Sequence, residues 1–160
     1  MTAARRSTDG AAAMGRTERS GDRDDDGAEP SPIEKSVPIR WRDMDAFGHV
    51  NNAVFLTYIE EAHDEFLRRT VGDGDGSAHV VVARIEIDFL VQLTQSDGPL
   101  IASCKLESLG RTSITTVEEL STADGRLAAR ARSVMVKVER DTGVPEPLSD
   151  GERRAFRGGS

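Results

Sequence analysis

Between Asn51 and about Thr70 the apolar residues Phe55, Ile59, Ala62 and Phe66 recur at steps of four, three and four, the stripe of one helix face. Tyr58 borders that stripe, and Val54 and Leu56 widen it into a broad apolar arc. Thr57, Glu61, Asp64 and Arg68 project together on the opposite, solvated side. Glu60 projects between Leu56 and Leu67, where partial shielding and an orienting or salt-bridged role are expected. The glycine-rich run after the helix, Asp73–Gly76, is read as a flexible turn, because it lacks the other ligand positions and the terminal glutamate of a calcium loop. Everything after Ala78 reads as strand. A single long helix with a wide apolar arc therefore has only a sheet to cover it, and the sheet must curve around it.

The strands follow from alternation. In "HVVVARIEIDFLVQL", Arg84, Glu86 and Asp88 face away from Ile85, Ile87 and Phe89. "QSDGP" supplies a turn before "LIASCKLESLG". The segment "RTSITTVEELST" is rich in β-branched residues, "ADGR" makes a hairpin turn, and "LAARARSVMVKVER" completes the set. "DTGVPEP" breaks the last strand, and "SDGERRAFR" predicts a short terminal helix capped by Ser149. Ahead of the long helix "SVPIRWRD" is extended, with order beginning near Ser36. The expected fold class is α+β, a long central helix wrapped by a curved antiparallel five-stranded sheet. It spans residues 35–145, and 146–160 form a short helix or tail. Such a sheet leaves a free edge and an open face, so pairing into a homodimer or homotetramer is expected.

Only 37% of the 160 residues are hydrophobic and 31% are charged, a low apolar share that points to chain outside the fold. Residues 1–34 match that description, and a disordered tail is expected there, with Asp24–Asp26 solvated rather than ligating a metal. Met14 offers an alternative start. The net charge of −7 argues against nucleic acid or an anionic membrane as the main partner. Cys104 is the one cysteine, which excludes an intramolecular disulfide and a cysteine metal cluster, and it is read as a small buried strand residue. No run approaches the roughly 18 apolar residues of a membrane span, and no apolar segment follows Arg5 and Arg6 as in a secretory signal. A cytoplasmic setting is expected.

The densest stretch, "RWRDMDAFGHVNNAVFLTYIEEA", sets two aspartates, a histidine and an asparagine pair ahead of the helix. Asn51 or Asn52 is a favourable cap, and the first N–H groups of a helix lack intrahelical acceptors. Together with the helix dipole they favour negative charge, so a carbonyl oxygen placed there is stabilised as it gains charge under nucleophilic attack. Asp45, six or seven residues upstream on a loop folding back over that end, has the reach to attack such a carbonyl or to activate a water. His49 is placed to hydrogen-bond the carbonyl or orient the water, and Gly48 permits the positive φ such a loop needs.

"DMDAFGHVNNAVFLTYIEEA" resembles the signature of hotdog-fold acyl-CoA thioesterases of the 4-hydroxybenzoyl-CoA thioesterase family: an aspartate pair, Gly-His-Val-Asn-Asn, an aromatic residue and Glu-x-Ala. The likeness extends over about residues 36–140. It includes the strand–helix–four-strand order and "LGRTSITTVEEL", whose Gly110 and Ser113 match a weaker pattern. The resemblance implies a hotdog fold and hydrolysis of an acyl-CoA or acyl-carrier-protein thioester. Asp45 matches the catalytic carboxylate, nucleophile or general base. Asn52 matches the position whose backbone N–H polarises the carbonyl, His49 shapes the site, and Asp43 braces the loop. Gly48, Asn51 and Phe55 fall at substrate-facing positions. No cofactor and no metal are implied, coenzyme A being part of the substrate. Phe55 stands where tyrosine is common, and His63 where arginine usually follows Glu-x-Ala, which removes the usual partner of any salt bridge there.

Coenzyme A phosphates call for basic groups. Arg40, Arg42, Arg84, Lys105, Arg111 and Lys137 are available, with Arg111, in the loop after Gly110, the first to test. Two other functions compete with hydrolysis, a non-hydrolytic acyl-CoA-binding hotdog protein and a hotdog hydratase or dehydratase. A hard-metal site at Asp43, Asp45 and His49 ranks below these, because no second His/Asp cluster completes it.

Overall fold

The computed structural model describes residues 31–72 and 79–158. Of the tail expected to be disordered over residues 1–34, residues 1–30 lie outside them, as does the turn at Asp73–Gly76, while Ile33 and Glu34 belong to a strand. The elements are β1 (Ile33–Val37), α1 (Asn52–Val71), β2 (Val80–Phe89), β3 (Leu100–Leu109), β4 (Ser113–Thr122), β5 (Leu127–Lys137) and α2 (Asp150–Phe156), with single 3-10 turns at Trp41–Asp43 and Gln95–Asp97. The five strands form one antiparallel sheet in the order β1-β3-β4-β5-β2. The expected hotdog arrangement, a long helix against a five-stranded antiparallel sheet, is the observed one. Because β2 and β1 hold the two edges, the segment between β2 and β3 must cross from one side of the sheet to the other, and it passes the start of α1.

The helix buries Phe55, Tyr58, Ile59, Ala62, His63 and Phe66. The predicted stripe is all there, extended by Tyr58 and His63. Leu56, expected inside the arc, is 38% exposed, and Glu60, expected to be shielded, is exposed. The sheet covers a narrower sector than the arc implied, and both residues fall outside it. Inward-facing Leu100, Ala102, Cys104, Ile114, Leu120, Ala129, Ala131 and Met135 complete the core. Cys104 is the buried strand residue foreseen, and burial followed by the neighbouring Glu118 charge pushes its thiol up, out of the range of a nucleophile.

The first strand starts at Ile33, three residues before the expected onset of order, in register with Cys104 of β3. Charge hid it in the sequence. Lys35 lies between Ile33 and Val37 on the inward side, and its ammonium reaches the Glu61 carboxylate of α1. The outer face of the sheet carries cross-strand ion pairs, Arg130–Glu119 and Arg132–Glu107, the solvated pattern of a one-sided sheet.

The terminal helix forms as expected. The Ser149 hydroxyl accepts the Glu152 N–H at 3.2 Å while Glu152 accepts the Ser149 N–H at 2.6 Å. Phe156 stacks on Phe66 of α1, with ring centroids 5.9 Å apart.

One buried polar cluster joins the helix to the sheet. His63 Nε2 lies 2.9 Å from Glu118 Oε1 of β4, and the Ser133 hydroxyl of β5 donates to Glu118 Oε2 at 2.9 Å. His63 is 3% exposed and Glu118 0%. The position where arginine was usual thus keeps a carboxylate partner through an imidazole.

Candidate active site

The loop from Asp43 to Asn51 is a closed hairpin-like unit. Asn51 N–H donates to Asp43 O at 2.9 Å, and Met44 bridges Val50 one step further in. Asp45 N–H donates to His49 O at 2.7 Å, and Gly48 N–H to Asp45 O at 3.2 Å. Gly48 turns the chain with φ +79°, a conformation that costs an L side chain roughly 1–2 kcal/mol. Val50 N–H donates to Leu93 O at 2.8 Å, fastening the loop to the segment that leaves β2.

Asp43 is the brace. Its side chain is 5% exposed, and Oδ2 accepts the Arg40 N–H at 2.7 Å and the Tyr58 hydroxyl at 2.8 Å. Burial first, then the hydrogen bond to Asp43 and its charge, push the Tyr58 phenol well above its ordinary range.

Asp45 has a different setting. It is half-buried, and Oδ1 accepts the N–H groups of Phe47 at 2.8 Å and His49 at 3.2 Å. The carboxylate therefore shapes its own turn. Oδ2 takes no hydrogen bond among the described residues.

Asn51, not Asn52, is the cap. Its side chain accepts the Ala53 N–H at 2.9 Å, and its carbonyl accepts the Val54 N–H at 2.9 Å. Asn52 is the first helical residue, and its own N–H finds no acceptor among the described residues. That N–H is an open donor at the positive end of a 20-residue helix.

These residues line one cleft of about 590 Å³. Asp45, His49, Asn51, Asn52 and Phe55 all border it, while Gly48 shapes the loop without facing it. Sequence reasoning missed its opposite wall, Phe89, Leu90, Val91 and Gln92, and also Phe47 and Val50 on the near side. Phe55 packs edge-on against Phe89, centroids 5.2 Å apart, so it is a wall joining helix to strand rather than a free contact. The alternation of β2 put Phe89 on the inner face; only the sheet order reveals that this end of β2 meets the helix start.

Arg111 is not in this cleft. Leu148 N–H and the Arg153 guanidinium donate to its carbonyl beside the start of β4, where Ser113 pairs with Val136. Phe89 pairs with Ala129, seven positions along β5, or roughly 24 Å away. Of the other basic residues, Lys137 is engaged with Glu146 and Glu152, and Arg84 with Glu86. Arg40 and Arg42 stay exposed on the turn leading into the site loop. Among the described residues, no three His, Cys, Asp or Glu side chains converge as a metal ion requires.

Comparison with known proteins gives the same fold and a family. The chain superimposes on a thioesterase from Thermus thermophilus, complexed with coenzyme A and Zn, with a TM-score of 0.71 and 35% identity over 81% of this chain and 99% of that one. A predicted thioesterase from Bacillus stearothermophilus gives 0.72 at 28% identity, over 80% and 96%. The uncharacterised protein YsmA of Bacillus subtilis is 25% identical over 121 residues, 75% of this chain and 82% of that protein. The thioesterase-like superfamily model matches residues 39–156, from just after β1 to the last residue of α2. With that match running through both the loop of Asp45 and the helix of Asn52, the chain belongs to the thioesterase-like superfamily.

Proposed function

We propose that this protein hydrolyses acyl-CoA, or acyl-carrier-protein, thioesters in the cytoplasm. The observation that carries the reading is the open Asn52 N–H at the start of α1, in the same cleft as the free Oδ2 of Asp45. A thioester carbonyl oxygen at Asn52 gains charge against the helix terminus while its carbon is attacked. Asp45 either attacks the carbon directly, forming a mixed anhydride that water then hydrolyses to the free acid and the regenerated carboxylate, or takes a proton from a water that attacks the carbon and ends in the free acid. The C–S bond breaks, and the sulfur leaves as the coenzyme A thiolate, which takes up a proton. His49 lies beside the carbonyl position. The apolar walls of Phe55, Phe89, Leu90 and Val91 suit an acyl chain, and no redox or metal cofactor enters the chemistry. The coenzyme A complex of the Thermus thermophilus relative supports the thiol half of the substrate.

The expected result is release of thiol from a panel of acyl-CoA esters, followed with a chromogenic thiol reagent. Thermal stabilisation by acyl-CoA without thiol release would assign the protein to the binding alternative. Loss of enoyl-CoA absorbance without thiol release would assign it to the hydratase alternative.

The proposal extends to assembly. β2 is a free edge whose Val81 and Val82 are 46% and 43% exposed. Arg84 and Glu86 straddle Ile85, so two β2 strands paired antiparallel about Ile85 set each arginine opposite the other copy's glutamate. That pairing also runs the second sheet in the opposite direction, bringing the partner's Arg111 to the end where the cleft lies. A homodimer or dimer of dimers is expected in sedimentation. Arg84→Glu should shift it toward monomer, and adding Glu86→Arg should restore it. A dimer unmoved by Arg84→Glu excludes this edge.

A further inference from the structure

We propose that Tyr58 is a positioning residue for the reaction: its buried hydroxyl acts through Asp43 to hold the loop carrying Asp45 against the helix end carrying the Asn52 N–H. The inference rests on the reading given under Proposed function. Tyr58 lies six residues into α1 from Asn52, about 9 Å along the same rigid rod. It is 1% exposed, and its ring contacts Phe55, whose centroid is 6.3 Å away. Packing accounts for the ring and not for the oxygen; a phenylalanine would fill the same space. The oxygen donates to Asp43 Oδ2 at 2.8 Å.

Asp43 gathers three parts of the structure. Through Oδ2 it holds the Arg40 N–H of the preceding turn and the Tyr58 hydroxyl of the helix body, and through its carbonyl the Asn51 N–H of the helix cap. Asp43 and Asn51 are the two ends of the site loop. Asp45 is two residues from one end and Asn52 one residue from the other. The Tyr58–Asp43 bond thus links the body of the helix directly to the root of the loop. Without it Asp43 keeps its backbone partners, so the loop stays closed but loses its fixed height over the first turn of α1. Attack on a carbonyl held at Asn52 depends on that height, and misplacement of an ångström is enough to lower a rate strongly.

The test is Tyr58→Phe, assayed beside the wild type with acyl-CoA substrates and by amide hydrogen exchange. Positioning predicts a fall in kcat of about tenfold or more, a KM within about twofold, and faster exchange at the Asn51 and His49 amides. Unchanged kcat in the folded variant overturns the proposal, even if its melting temperature falls, because a packing role predicts that pattern. If the wild type releases no thiol, the thioesterase reading fails on its own, and hydrogen exchange then decides: unchanged rates at Asn51 and His49 overturn the positioning role, and faster ones uphold it. Should Tyr58→Phe not fold, Asp43→Ala, which removes the acceptor of the Tyr58 hydroxyl and keeps the Asp43 carbonyl that holds the Asn51 N–H, is measured in the same two ways, and the same outcomes uphold or overturn the proposal.

Discussion

Asp45→Asn is expected to lower kcat by roughly 10²–10⁴-fold, the range over which a positioned acid–base group contributes, while leaving fold and assembly intact. The second half of that expectation comes from the loop. Asp45 Oδ1 accepts the Phe47 and His49 N–H groups, and an asparagine carbonyl oxygen accepts both equally well. The turn therefore survives the substitution, and Gly48 keeps its positive φ. The change falls on Oδ2, which becomes an amide nitrogen that neither attacks a carbonyl nor takes a proton. Thiol release under saturating acyl-CoA gives kcat, and circular dichroism with sedimentation checks the fold. Activity retained within about threefold would remove Asp45 from the mechanism, leaving it the turn-forming aspartate that its two amide bonds already make it. One carboxylate has room for both the turn and the proposed chemistry because they use different oxygens.

What the sequence disclosed was what is local in it. Asp45, His49, Asn51, Asn52 and Phe55 fall within eleven consecutive residues, so motif spacing alone brought them together, and the cleft contains all five. Even the division of labour between the asparagines needed geometry, since either could cap on paper and only Asn51 does. The other wall, Phe89 to Gln92, is some forty residues away and arrives only because β2 takes the edge beside β5. Arg111 is also decided by geometry and not by spacing. It stood among several basic residues that the sequence could not place, and the antiparallel sheet sends its loop to the end of the same protomer far from the cleft. Leu56 and Glu60 show the limit of a helical projection, which ranks faces but does not tell how wide a sector the sheet covers. Glu118 was readable and overlooked. It shares parity along β4 with Ile114, Thr116 and Leu120, an inward position where a carboxylate demands a partner.

That partner gives the largest expected effect on stability. Glu118→Ala should cost about 2–6 kcal/mol in denaturant unfolding, about 1–3 for each of the two buried polar groups it strands, the first being His63, which loses its only hydrogen bond among the described residues. The Ser133 hydroxyl loses its acceptor in the same step. Glu118→Gln keeps acceptor oxygen and shape and should cost less, about 1–2 kcal/mol. The discriminating variant removes both ends: His63→Leu with Glu118→Met replaces the pair by apolar groups of similar volume, and such exchanges are often neutral or stabilising. If the double variant unfolds near the wild-type midpoint while Glu118→Ala does not, the cost lies in stranding a buried polar group and not in losing a bond. If the double variant is as unstable as the single one, the pair itself holds α1 to the sheet. Because His63 lies three turns from Asn52, a double variant of full stability that retains kcat would also separate the anchor of the helix from the chemistry at its start.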